Sequence, residues 1–152
     1  MGLAEIRTQI KTLLETVPGI GKVHDFERWT TDWNAFLNYF KDSNNRINGW
    51  VITRSETGER LQSPEAVNVS THTFVIKGYY GLKDSLESEK IFQDLIESVR
   101  SVLRVNSTLN GTCRRTYPPS VTILANRPYA GILMHQCEIQ FKVEEYIRYT
   151  PV

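Results

Sequence analysis

From Leu133 to Tyr149 apolar and polar residues alternate almost without interruption. Leu133, His135, Cys137, Ile139, Phe141 and Val143 fall on one side. Met134, Gln136, Glu138, Gln140, Lys142 and Glu144 fall on the other, and the pattern blurs at Glu145 and Tyr146. A period of two marks a strand with one buried face. At ~3.3 Å per residue this stretch spans roughly 55 Å, whereas a domain of this size is roughly 40 Å across. Such a strand must bend, stop early or project, and a projecting strand offers unpaired backbone groups to a neighbouring chain.

Elsewhere the spacing changes. Leu3, Ile6, Ile10, Leu13, Leu14 and Val17 step by three and four, predicting an amphipathic helix closed by Pro18-Gly19-Ile20-Gly21. Lys22 to Glu27 predicts a short strand, and Thr30 or Thr31 can cap a second helix running through Asp42, with Trp33, Phe36, Leu37 and Phe40 on one face. Ile47 to Arg54 reads as a strand, followed by a turn-rich loop at Glu56-Thr57-Gly58-Glu59. The next strand runs from Asn68 to Tyr80, with Phe74 and Ile76 inward beside His72. The connection Ser55 to Ala66, with Pro64 inside it, predicts a projecting loop rather than a tight hairpin.

Asp84 and Glu87 resemble a capping box for a long helix, Ser85 to Arg104, whose core stripe is Ile91, Leu95, Val99, Val102 and Leu103, widened by Phe92 and Ile96. Arg100 and Arg104 complement the dipole at its end. A polar loop follows from Asn106 to Pro119, then a strand from Val121 to Ala125 and a turn at Asn126-Arg127-Pro128-Tyr129. The expected fold is α+β: a single domain over 1–152, with an antiparallel (mixed) sheet of about four to five strands and helices packed mainly on one face.

Composition narrows the function. The 152 residues are 40% apolar and 23% charged, as in a soluble globular protein. No apolar run is long enough to span a membrane, and no basic segment followed by an apolar one opens the chain, so neither a membrane span nor a cleaved signal is expected. Cys113 and Cys137 are too few for a disulfide framework and are expected as reduced thiols of an intracellular protein. The net charge of +1 hides an asymmetry: residues 1–97 hold eleven basic and fourteen acidic residues, whereas 98–137 hold five arginines and no acid. A segment of one sign can meet an acidic partner or a phosphate backbone.

Catalytic signatures are missing. Gly19-Ile20-Gly21-Lys22 has Thr16 and Val23 where a phosphate loop needs glycine and Ser/Thr, and Phe26 and Glu27 break the dinucleotide fingerprint. His135 and Cys137 share a strand face, with His72 and Cys113 as distant candidates, which falls short of a zinc spacing. They read as core residues. Asp25 and Glu27 lie among Lys22, His24 and Arg28, a solvated charged face rather than a carboxylate pair for glycoside hydrolysis. No nucleophile elbow occurs. The chain is therefore expected to be no enzyme, with no cofactor and no metal.

Aromatic residues are more informative. Trp29 and Trp33 sit one helical turn apart, Tyr79-Tyr80 ends one strand, and Tyr146 and Tyr149 decorate another. Tyrosine at strand ends suits interfaces, which makes Tyr146, Arg148 and Tyr149 candidate inter-subunit residues. Arg114, Arg115 and Tyr117, with Arg127 and Tyr129, combine charge and rings where a partner or DNA can be met.

The order of elements resembles the tail-terminator (tail-completion or neck) proteins of tailed bacteriophages. The features that carry this are an N-terminal helix leading through Val17-Pro18-Gly19-Ile20-Gly21 to a charged strand, a central antiparallel pair, a long helix, and a strand and turn before a long final strand. The resemblance implies a structural virion protein of the tail or neck, assembled in the host cytoplasm. As a homo-hexameric ring it would cap the tail tube, end tail polymerisation and join the tail to the head connector. Implied partners are the tail tube protein, the connector, the tail sheath in some tails, and DNA passing through the lumen; no membrane is involved. Loops Ser55 to Ala66 and Asn106 to Pro119 are expected to reach neighbouring rings. The alternatives are a head-completion or connector protein, a small nucleic-acid-binding module using segment 98–137, and an enzyme of unknown chemistry.

Overall fold

A computed structural model of the chain describes residues 2–28, 30, 32–129 and 132–152, with the Tyr129 side chain outside the described set. Among the described residues the fold is α+β, with three α-helices and a mixed, mostly antiparallel six-stranded sheet. The elements are α1 (Leu3–Glu15), β1 (Lys22–His24), α2 (Trp33–Phe40), β2 (Asn48–Ser63), β3 (Val67–Gly81), α3 (Ser88–Arg104), β4 (Arg115–Thr116), β5 (Ser120–Tyr129) and β6 (Ile132–Arg148). Strand order is β1-β2-β3-β6-β4, with β5 also on β6 and β1 parallel to β2. The sixth strand, absent from the sequence reading, is the two-residue β4.

The long final strand exists at full length and lies inside the sheet. β6 pairs with β3 from Val67↔Arg148 to Gly81↔Met134, while its other edge takes β5 along one half and β4 near the other end. Ribbon formation answers the length problem: β2 and β3 run out beside β6 as a long hairpin. The predicted loop at Glu56-Thr57-Gly58-Glu59 is strand, and only 64–66 turn the chain. That segment hid from sequence patterning because every side chain from Arg54 to Gln62 is exposed, so burial imposes no alternation on it. Pairing with β3 makes it a strand regardless.

The main core lies under α1 and α3. Ile6, Ile10 and Leu14 of α1 and Phe92, Leu95, Ile96, Val99 and Leu103 of α3 pack on Trp50, Ile52, Phe74, Ile76, Ile139, Phe141 and Val143. The opposite sheet face is covered at one end by α2, where Phe36 and Phe40 meet Ile47, Val51 and Met134. The α3 stripe is as expected at Phe92, Leu95, Ile96, Val99 and Leu103, but Ile91 is 44% exposed. The capping box at Asp84 and Glu87 does not form. Asp84–Leu86 is a 3₁₀ turn, and Glu87 takes left-handed backbone (φ 52°) with no side-chain cap, so α3 starts at Ser88. Arg100 binds Glu97 and the Pro119 carbonyl rather than serving the dipole alone. On α2 the cap is Asp32, whose carboxylate accepts from the Ala35 N–H, and the helix ends at Phe40; Thr31 and Trp29 lie outside the described residues. The segment 106–119 folds back instead of reaching out, burying Leu109 and Cys113 in the core. Residues 126–129, read as a turn, continue β5.

One close approach sets the centre of the core. Trp50 lies over Gly78 in the row Trp50–Gly78–Cys137, and its ring centroid is 5.9 Å from that of Phe92. A Cβ on Gly78 would sit 2.6 Å from the Trp50 ring and 2.8 Å from the Cys137 sulfur. Gly78→Ala is therefore expected to destabilise the fold by about 1–3 kcal/mol through overpacking, read as a lower urea midpoint.

Candidate functional site

On β6 the residues facing away from α1 and α3 are Gln136, Glu138, Gln140, Lys142, Glu144, Tyr146 and Arg148, the last two being where the sheet is a ribbon. Glu144 stands out because it is only 2% exposed. A buried carboxylate is costly unless it is paired and hydrogen-bonded. Here β4 supplies the partners. The Arg114 N–H donates to the Glu144 carbonyl at 2.8 Å and the Tyr117 N–H to the Lys142 carbonyl at 2.9 Å, which pins the segment Arg114–Tyr117 to β6. Arg114 Nη1 and Arg115 Nε then donate to Glu144 Oε2 at 3.2 and 3.1 Å, and the Tyr117 hydroxyl donates to Oε1. Arg60 approaches Oε1 at 3.9 Å from β2, on the other side of β3.

Rings complete the cluster. The Arg114 and Arg148 guanidinium carbons lie 5.1 and 5.5 Å from the Tyr146 ring centroid, and that of Arg115 lies 4.9 Å from the Tyr117 centroid. Arg115 Nη2 also donates to the Tyr117 oxygen at 2.7 Å. Burial alone would push the Glu144 carboxyl up, but hydrogen bonds from Tyr117 and Arg115 and the charges of Arg115 and Arg114 outweigh it and hold the group below its usual range.

The structure thus unites two sets that the sequence kept apart: Arg114, Arg115 and Tyr117 with Tyr146 and Arg148. It adds Arg60 and Glu144, which sequence patterning missed. Arg60 lay in an apparent loop, and Glu144 looked like any outward polar residue. Arg127 is not part of the cluster; it is exposed on β5 opposite Met134, about 33 Å along β6 from Glu144. The Tyr129 side chain lies outside the described residues. Tyr149 is 47% exposed just past β6, where its N–H donates to the Ala66 carbonyl at 3.2 Å.

Two further polar networks lie on the helix-facing side of the sheet. Thr57 Oγ1 is 2.8 Å from His72 Nδ1, and His72 Nε2 is 3.0 Å from Glu145 Oε1, a chain that ties β2, β3 and β6 together. His135 Nε2 is 2.8 Å from Ser88 Oγ and its Nδ1 is 2.6 Å from Asn126 Oδ1. Asn126 Oδ1 can only accept, so Nδ1 carries the proton of the neutral ring, and Nε2 accepts from the Ser88 hydroxyl, whose oxygen accepts the Lys83 N–H at 2.9 Å. Every group is satisfied with the ring neutral, and burial pushes the His135 pKa down. The serine is 4% exposed and already spent on these bonds, so the arrangement anchors α3 to the sheet.

The remaining candidates resolve into structure. Cys113 and Cys137 are free thiols that burial pushes up to about 11 and about 12, so both stay protonated at neutral pH. Among the described residues no group of three or more His, Cys, Asp or Glu can hold a metal ion. Gly21 has φ 75° and packs on the Asn48 carbonyl, where a Cβ would come within 2.1 Å. That contact explains the glycine without a phosphate. Glu27 pairs with Lys77 at 3.1 Å. Among the described residues no helix is long and apolar enough to cross a membrane.

Two pH effects follow. Because the folded Glu144 value is depressed, its contribution is present above about pH 4.5, the ordinary carboxylate value, and is lost as pH falls through the folded value. Glu144→Gln should flatten the fall of the urea midpoint below pH 4.5. The folded His135 value is depressed too, so its contribution is present above 6.5 and fades as pH falls from there. His135→Gln should remove part of the loss of stability as pH is lowered from 6.5.

Compared with protein-family models and with curated proteins, the chain matches none.

Proposed function

We propose that the chain is a non-enzymatic virion protein of the tail-terminator type. In this reading copies join into a ring on the end of a tail tube, stop its growth and present a second face to the neck connector. The observation that carries it is the pair of open strand edges. Beyond the short contact with β1, the outer edge of β2 from Ile52 to Ser63 has no strand neighbour among the described residues, and neither has the outer edge of β5. The two edges lie on opposite sides of the sheet and differ from each other. Edge-to-edge pairing between them is heterologous, the kind of contact that closes a ring.

Local features restrain indiscriminate pairing. Bulges interrupt β2 between Arg54 and Glu56 and between Leu61 and Ser63, and β5 between Val121 and Ile123. Bulges and charges on an edge are how soluble proteins avoid aggregation, so pairing here is conditional on a template such as the tube. The helices leave much of the second sheet face uncovered, which gives a ring subunit room for its neighbours. Capping is then geometric: one ring face matches the tube and the other does not accept another tube ring.

Electron microscopy of cognate tail tubes with the protein should show one ring at a tube end and no further elongation. Tubes that lengthen freely in its presence would contradict the reading. Thr122 is passed over in the β5–β6 register and its hydroxyl donates to the Glu138 carbonyl at 3.3 Å, so Thr122→Pro should lower the melting temperature by only a few degrees with an unchanged circular dichroism spectrum, while abolishing the ring.

A further inference from the structure

The cluster around Glu144 carries more positive charge than its own carboxylate needs. Arg60, Arg114 and Arg115 converge on Glu144, Arg148 lies against the Tyr146 ring, and Lys142, exposed, stands two residues before Glu144 on the same face of β6. Five cations against Glu144 and exposed Glu56, which shares the row Glu56–Thr73–Lys142 at the β2 edge, leave an excess of three. The arginine side chains of Arg60 and Arg115 remain 54% and 53% exposed, so their unused N–H groups face solvent. Glu144, Tyr117 and Tyr146 act as scaffolding: they fix the guanidinium planes before any ligand arrives, which lowers the ordering cost of binding.

Shape identifies the ligand class. The cations span four adjacent strand positions, about 14 Å across at ~4.8 Å per strand, and about 20 Å along β6 from Lys142 to Arg148. An open sheet face of that extent is wasted on one phosphate or carboxylate and suits a polyanion. The tyrosine rings already carry guanidinium groups, with Tyr146 contacted by two, so they are not free to stack on bases. The geometry points to a sequence-neutral site for the phosphate backbone of duplex nucleic acid, built from Arg60, Arg114, Arg115, Lys142 and Arg148 and organised by buried Glu144. The site needs no ring: a monomer can show it, so it and the capping function stand or fall separately.

The test is fluorescence anisotropy of the full chain with labelled 20-base-pair duplexes of two unrelated sequences. Both should bind equally at low salt. With about three phosphates neutralised, log K should fall against log salt with a slope of about −3, roughly fiftyfold between 50 and 200 mM. Arg114 and Arg115 are poor probes because their removal strands a buried carboxylate. Lys142→Ala with Arg148→Ala leaves every hydrogen bond to Glu144 in place and should reduce the slope by about 2, with an unchanged urea midpoint. Absence of binding at 50 mM salt, a slope unaltered by the double substitution, or tighter binding to poly-glutamate than to duplex would each overturn the proposal.

Discussion

The pairing of β3 with β6 is the interaction on which the rest of the molecule depends. It is continuous from Val67↔Arg148 to Gly81↔Met134. Because side chains alternate across a strand, this one register decides both faces of the sheet. It turns Phe74, Ile76, Cys137, Ile139 and Phe141 toward α1 and α3, and it turns Glu144, Tyr146 and Arg148 to the other side. A slip by one residue would put Glu144 into the apolar core and expose Phe141. The arginine cluster and the core are therefore two consequences of one alignment.

Conflict between burial and charge is concentrated in the ribbon end of the sheet. Glu144 and Glu145 are neighbours on β6, both nearly inaccessible, and they face opposite ways. Each is matched on its own side: Glu144 by arginines and Tyr117, Glu145 by His72 and through it Thr57. Removing one partner of a buried carboxylate costs far more than the pair adds, so each acid depends on groups brought by other strands. At Glu144 those groups are guanidiniums at an open surface.

Much of the layout was legible in the chain. β6 was read almost residue for residue, because half-burial imposes its period of two directly on the sequence. The α1 stripe was equally clear. The outer half of β2 was not, since Ser55 to Gln62 are solvent-facing on both sides and rich in turn-forming residues. Its strand state is set by the partner, not by its own composition. The start of α3 was misread because Ser88, buried against His135, does the anchoring that a capping box at Asp84 and Glu87 was expected to do. Arg114, Arg115 and Tyr117 stand in one stretch of sequence, Tyr146 and Arg148 in another, and Arg127 lies far from both. Joining them required the register of β4 on β6, a long-range pairing with no local signature.

Amide hydrogen exchange on the full chain, free and bound to tail tubes, reads assembly through the two open edges. New protection is expected mainly along β2 beyond Ile52 and along β5, the strands whose outer edges lack partners among the described residues. Unchanged exchange along both strands in tube-bound protein would contradict assembly through these edges.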